Sequence, residues 1–350
     1  MQSFSGVEWK INRTFWICFF MGWSPLCLQS PVLAVGPTRG ILVVGGSGRL
    51  GRLICSKLVS EQKFDVVSVL VRNETAAREI PELRGCQLLV GDVSDGDSLT
   101  RAVSPLPEGS YTIIDVHGVK PPRLSKPSDL MGGQEKGLDH PAQVNLRGVK
   151  NLLLLMTSTN RFRKIVRVTG ALVGRPSNIF AILFNLLLSF SNKYHQLSEI
   201  AIRESGVDYA VIRPTGIRME PRARETGRRL ICEPSNGKSV PVPGKISAED
   251  LSDLCLLAAD SAYISRSTLV VSTAEEDKLP KSLSTWTSWS DAIKSGVFIR
   301  NREDEITLAP HRLYATLFMA FFSSIVTLIA GFIITLVSHL FRGTGIFKTF

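Results

Sequence analysis

The chain has 350 residues, is 44% hydrophobic and 21% charged, and carries a formal charge of +10 at pH 7. That length suits one large α/β domain with appendages. The basic balance admits an anionic ligand or an anionic membrane face, whereas the lack of zinc-finger spacing, an aromatic RNA-binding signature or a long Lys/Arg run argues against nucleic acid. Six cysteines (Cys18, Cys27, Cys55, Cys86, Cys232, Cys255) stand apart, with no C-x-x-C and no histidine cluster beside them. This argues against a metal centre and a disulfide framework and fits a reducing compartment.

Residues 1–38 have the order of a leader or signal-like segment. Lys10 and Arg13 precede an apolar block from Thr14 to Met21, followed by Gly22, Ser24, Pro25 and small residues around Ala34. The block is short for a bilayer span, so a cleavable leader and a retained interfacial segment both stand as readings.

The next stretch organises the rest. Ile41-Leu42-Val43-Val44 reads as a buried strand that stops at Gly45, and Gly45, Gly48 and Gly51 fall at spacing G-x-x-G-x-x-G before the helical pattern Leu53, Ile54, Lys57, Leu58. A sharp turn, a backbone free of Cβ atoms and a helix N-terminus together suit a diphosphate. Strand and helix then alternate, which predicts a Rossmann-type, doubly wound parallel sheet over residues 39–275. The second strand, Asp65–Val71, ends at Arg72 where NAD-specific sites usually carry a carboxylate. With Arg49 after the second motif glycine, this favours a 2′-phosphate, hence NADP over NAD. The third strand, Gln87–Val90, leads to Asp92, which either accepts from an adenine amino group or caps the following helix. A fourth strand, Tyr111–Val116, leads to His117. A Pro-, Gly- and Lys-rich loop over 119–141 follows, then a helix from Val144 to Met156 and a strand from Lys164 to Gly170.

These residues resemble the atypical short-chain dehydrogenase/reductase superfamily, in its NmrA-like, NAD(P)-binding branch. The likeness rests on Val43 to Gly51, Leu70 to Asn73, Gly91 to Val93, Asn145 to Leu152, Glu199 to Tyr209 and Val211 to Gly216, and covers about residues 40–275. It implies nucleotide phosphates at Gly45, Ser47, Gly48, Arg49 and Gly51, a 2′-phosphate at Arg72 and adenine at Asp92, with Leu50 and Val93 beside them. The chain is also similar to plastid members of the branch, some of which act as assembly or docking factors.

One departure weighs against ordinary turnover. Reductases of this superfamily use a Tyr with a Lys four residues on, the Lys lowering the phenol pKa and the Tyr passing the proton. No Tyr-x-x-x-Lys occurs in this chain. Alignment on Glu199, Ser205 and Gly206 puts Ser191 at the Tyr position and His195 at the Lys position. Thr169 is the nearest hydroxyl to the family's serine. Tyr194, His195, Thr169 and His117 remain as candidates for a substitute relay.

Ile179 to Phe190 is apolar nearly all round, as a buried segment or as a face for lipid or a hydrophobic partner. The arginines 218, 222, 224, 228 and 229 form a basic run, read as a solvated loop that can lean on anionic headgroups. Residues 276–312 read as a polar connector. From 313 to 341 the chain is almost wholly apolar, about 40 Å as a helix, which predicts a single transmembrane span followed by a short tail, 342–350. Asn73-Glu74-Thr75 is a glycosylation sequon beside the expected nucleotide phosphate, which favours the cytosol or stroma over a secretory lumen. The sequence therefore supports an integral membrane protein of plastid or ER, its soluble domain on the cytosolic or stromal side. It would act as an NADP-binding assembly, docking or redox-sensing factor in a membrane-protein complex. The alternative is an NADPH-dependent reductase of a hydrophobic substrate with a non-standard proton donor.

Overall fold

The structure is a computed structural model that describes residues 38–119, 125–130, 137–234, 242, 244–278, 283–300 and 310–343. The leader-like segment before Thr38, much of the 119–141 loop, residues 301–309 of the connector and the tail beyond Gly343 lie outside the described residues.

The predicted alternation forms. β1 (Thr38–Val44), β2 (Val66–Val71), β3 (Gln87–Val90), β4 (Gly109–Asp115), β5 (Phe162–Val168) and β6 (Asp208–Pro214) are linked by α1 (Arg49–Glu61), α2 (Glu74–Arg78), α3 (Gly96–Val103), α4 (Pro127–Leu130), α5 (Gly148–Thr159), α6 (Ile179–Leu187) and α7 (Ser191–Glu204). Beyond them come β7 (Ile217–Arg218), β8 (Arg228–Pro234), β9 (Ile246–Ser247), α8 (Ala248–Asp260), β10 (Ser267–Glu275), β11 (Thr285–Trp286), α9 (Trp289–Lys294) and α10 (His311–Gly343). Among the described residues the main sheet runs β11-β8-β10-β6-β5-β4-β1-β2-β3, and β7 pairs with β9 apart from it.

From β3 to β10 every pairing is parallel. Parallel strands are covered on both faces, so they read as continuous apolar runs, and Ile41 to Val44 are all buried. On one face α1 and α8 pack through Ile54, Leu58, Leu251 and Leu254. On the other α3, α5 and α7 pack through Leu99, Leu152, Met156 and Ile202. The order in which strands are added reverses at β1, flanked by β2 and β4, and this opens a crevice at the strands' carboxyl ends.

The structure departs from the sequence reading in four places. First, the basic run is not a solvated loop throughout. Arg228 and Arg229 begin β8, which is antiparallel to β10 and buries Leu230, Ile231 and Cys232. Its cations meet carboxylates: Arg222 Nε lies 2.9 Å from Asp253, Arg218 3.3 Å from Glu220 and Arg229 3.2 Å from Glu276. Second, part of the connector joins the domain: β11 pairs with β8, and Trp289 is buried, donating its indole N–H to Asp250 O at 2.7 Å. Third, the helix read from Val144 opens with a π-helical turn, Ala142–Arg147, that runs directly into α5. Fourth, α6 is two-sided, with Ala181, Ile182 and Asn185 buried and Phe180 and Leu187 more than half exposed.

α10 is long and apolar enough to cross a membrane by length and composition, and none of its most apolar stretch is buried. Its first turn is different. His311 is buried, accepting from Asn185 Nδ2 at 3.0 Å and donating from Nε2 to Val173 O at 2.9 Å. His311 is therefore a packed interior residue and not a headgroup-facing flank.

Candidate functional site

The glycine-rich turn has the geometry its spacing calls for. Gly45 has φ of 88°, and a Cβ there would sit 2.7 Å from His117 N. A Cβ on Gly51 would lie 2.3 Å from Gly45 O, so only glycine lets α1 close this tightly on the turn. Gly48 N–H donates to Gly45 O at 3.0 Å, and the first bond back into α1 is Arg52 N–H to Gly48 O at 2.8 Å. Gly48 caps the helix with no side chain and no acidic residue follows in the first turn. The Arg49, Leu50 and Gly51 amides are thus left to an outside acceptor, and the helix end favours an anion.

A cleft of about 330 Å³ extends from this turn across the ends of β1 to β4. Gly45, Ser47, Gly48, Arg72, Asp92 and Val93 line it, with His117, Gly118 and Val144 at the β4 side. Arg72 is exposed at the tip of β2 with no ion pair among the described residues, whereas the nearby Glu74 is engaged by Arg78. Asp92 does not cap α3; Asp95 does, accepting from Asp97 N and Ser98 N. Asp92 Oδ1 instead takes Ser94 N–H and Ser94 Oγ–H at 2.9 and 2.7 Å, which fixes the carboxylate in the cleft wall. Asn151 Nδ2 holds Val93 O at 2.9 Å from the α5 side. The residues present fit a dinucleotide: a tight turn, free helix-end amides, an unpaired guanidinium and a fixed carboxylate lie along one groove.

Three sequence candidates have backbone N–H groups at the turn but side groups turned to other surroundings. Leu50 packs on the core beneath the turn, and Gly51 serves packing. Arg49 is exposed and lines a neighbouring cleft of about 570 Å³ together with Glu82, Glu220 and Glu249.

At the β4 side the structure assembles a buried polar group. Parallel register sets Asp115 beside Arg167, whose Nη1 lies 2.7 Å from Asp115 Oδ2 with both side chains fully buried. His117 Nδ1 meets Asp115 Oδ1, and His117 Nε2 lies 2.8 Å from Val144 O. Burial opposes the Asp115 charge, but Arg167 and His117 outweigh it and hold the carboxyl below its usual range. Arg167 Nη2 donates to His195 Nδ1 at 3.3 Å. Burial, then the Arg167 charge, pushes His195 down to about 3, so its imidazole is neutral near pH 7.

The Asn145 amide lies 3.2 Å from both His195 Nε2 and Ser191 Oγ. A guanidinium only donates, so His195 Nδ1 accepts and Nε2 carries the proton. The amide must then present its oxygen on this side, which also gives a partner to an Asn145 Oδ1 that otherwise lacks one. Ser191 and His195, on the helix positions of the expected phenol and ammonium, are both tied to this one side chain.

The remaining candidates are held by their neighbours. Thr169 Oγ1 donates to Glu199 Oε1 at 2.6 Å. Glu199 is buried, which raises its pKa, but Arg213, Arg203 and the Thr169 hydroxyl prevail and bring it to about 2. Tyr194 is buried with Ala142, Phe190 and Ala315, edge-on to His140 at 5.4 Å between centroids, and is not on the cleft wall. Of the four relay candidates, His117 lines the cleft. The sequence reading did not single out Asp115 or Arg167 as site residues. Their signal was present, since a charge inside a central parallel strand is rarely without a buried partner. No group of three or more His, Cys, Asp or Glu suited to a metal occurs among the described residues.

Known proteins share the family and the fold. The family model described as NAD(P)H-binding matches residues 45–262. A chloroplastic protein of Arabidopsis thaliana is 25% identical over 209 residues, which covers 57% of this chain; the chain spans 65% of that relative's length. Among solved structures, a Lactococcus lactis protein described as an oxidoreductase is similar over 76% of this chain and 99% of its own, at 16% identity and a TM-score of 0.51. A Bacillus halodurans protein described as an NAD-dependent epimerase/dehydratase is similar over 68% of this chain and 95% of its own, at 18% identity and a TM-score of 0.50. At such identities the likeness is one of fold.

Proposed function

Because this chain belongs to the NAD(P)H-binding family, we propose that it is a membrane-anchored NADP-binding protein that serves docking or assembly of a membrane complex instead of standard reductase turnover. The observation that carries this reading is the Ser191–Asn145–His195 arrangement. The face of α7 that would pass a proton holds a serine and a neutral imidazole, both engaged by one buried amide. A bound nicotinamide could still give or take a hydride, but these two side chains offer no phenol and no ammonium to accompany it.

Arg72 supports NADP over NAD, since its free guanidinium stands where a ribose-binding carboxylate would be expected. The bare apolar surface of α10 supports the anchor. The chloroplastic Arabidopsis relative supports a plastid membrane with the soluble domain on the stromal side.

A second reading, an NADPH-dependent reductase of a hydrophobic substrate, is favoured by one observation. His117 lines the cleft with Asp115 behind its Nδ1, an arrangement that orients the imidazole and would serve proton transfer once Nε2 leaves Val144 O. The test uses the purified full chain in detergent, with nucleotide titrations and a panel of carbonyl and alkene substrates. Saturable NADPH binding without substrate-dependent oxidation is the expected result. Turnover that His117→Asn abolishes while binding persists would replace the first reading with the second, and absence of any nucleotide binding would sink both.

A further inference from the structure

We infer that the exposed face of α6 is a second membrane contact, lying in the interfacial plane of the lipid leaflet from which α10 departs. The inference rests on α10 being a membrane anchor and adds to it a fixed seat for the domain.

α6 exposes Ile179, Phe180, Leu183, Phe184 and Leu187, between 37 and 61% accessible. Their spacing of one, three and four residues places them on one side of a helix, opposite Ala181, Ile182 and Asn185, which face the fold. That is a continuous apolar face with no polar side chain on it, of the kind that marks an interaction site.

What covers it is indicated by its neighbour. The root of α10 is built into the same corner. His311 bridges Asn185 of α6 and Val173 O, Ala315 is buried with Phe190 and Tyr194, and the Arg312 guanidinium lies 5.8 Å from the Phe190 ring centroid. Just beyond this root the surface of α10 turns apolar, with Leu313, Leu317, Met319 and Phe321 exposed. α6 and the root of α10 thus pack directly on each other, through the inward side of α6, at the point where the apolar span begins.

Charge points the same way. No Asp or Glu occurs between Ala171 and Ser198 or from Ile306 onward, whereas Arg175, Lys193 and Arg312 flank α6 and the root of α10. An in-plane helix with an aromatic and aliphatic face, cations at its borders and no carboxylates matches an anionic leaflet. The C-terminal end of α6 also holds residues of the 119–141 loop: Ser125 N–H donates to Leu187 O at 2.8 Å and Ser189 Oγ to Asp129 Oδ2 at 3.0 Å.

The experiment reconstitutes the full chain in vesicles of phosphatidylcholine and phosphatidylglycerol containing a lipid with a diazirine in its acyl chain. After photolysis, labelled peptides are mapped by mass spectrometry. Labelling of both the α6 peptide and the α10 peptide is expected. Substituting the exposed Phe180→Asp and Phe184→Asp together should cut α6 labelling by about fivefold or more while α10 labelling and NADPH binding persist. Labelling of α10 without α6 would overturn the inference and leave the anchor standing. The same pattern with a crosslinkable dimer through α6 would assign the face to a second copy. Labelling of neither would remove the anchor and the inference together.

Discussion

Asp115 and Arg167 are register partners on adjacent parallel strands, and their side chains form a 2.7 Å ion pair with no exposure of either. A pair this buried does little for net stability against an apolar equivalent, but breaking it leaves a stranded charge. Arg167→Leu should lower stability by roughly 3–5 kcal/mol, the usual penalty for a buried pair robbed of one partner. The same change removes the guanidinium beside His195 and should move its pKa upward from about 3. Denaturant unfolding of the full chain in detergent checks the first effect, and imidazole NMR titration the second.

His195 also predicts an acid-sensitive window. Its folded pKa of about 3 lies below the ordinary 6.5, so between these values the unfolded chain binds more protons and stability rises with pH. The contribution is fully present above about pH 6.5 and is lost as pH falls toward 3, reaching about 3 kcal/mol by pH 4 on simple linkage. His195→Gln keeps a side chain that can donate to Asn145 and accept from Arg167 but does not titrate. Urea midpoints measured against pH should flatten between pH 6.5 and 4 in that variant; an unchanged slope would assign the acid lability elsewhere.

Gly51→Ala tests the turn. The added methyl would sit 2.3 Å from Gly45 O and 2.6 Å from Gly46 Cα, so α1 must back away from the turn or the turn must open. Either shift misplaces the helix-end amides, and nucleotide affinity should fall by about tenfold or more. Tryptophan or nucleotide fluorescence titration measures it, with far-UV circular dichroism confirming that helix content is retained.

Arg72→Ala tests cofactor choice. Loss of a forked, charge-assisted contact to a phosphate should weaken NADP by about ten- to a hundredfold, while NAD, which has no 2′-phosphate, changes little. Paired calorimetric titrations read the ratio directly, and equal losses for both nucleotides would remove the argument for NADP.

The parallel half of the sheet was legible because its strands are buried on both faces. Ile41 to Val44 is an apolar run bounded by Gly40 and Gly45, Tyr111 to Val116 is a mostly apolar one that ends at His117, and the triplet Gly45, Gly48, Gly51 marks the turn between strand and helix. β8 was not legible: it opens on Arg228 and Arg229 inside a basic run, and its charges make sense only once Glu275 and Glu276 lie across from them. The Asp115–Arg167 pair depends on the register between β4 and β5, a long-range fact that no local period encodes. His311 looked like a flank of the apolar stretch because Asn185, which draws it inside, is far away in sequence. Asn145 lay within a recognised block, yet its role required knowing that Ser191 and His195 converge on it.

The π-helical turn Ala142–Arg147 carries a demand that outlasts any single side chain. Such a turn is an α-helix that has absorbed one surplus residue. Removing any one of the other five would let the helix tighten and swing Asn145 around the axis by about 100° relative to its present partners. The amide would then point away from the serine and the imidazole it now clasps. At this spot the number of residues matters as much as their identity, and a one-residue deletion would undo the inner wall of the cleft even with every contacting side chain still in the chain.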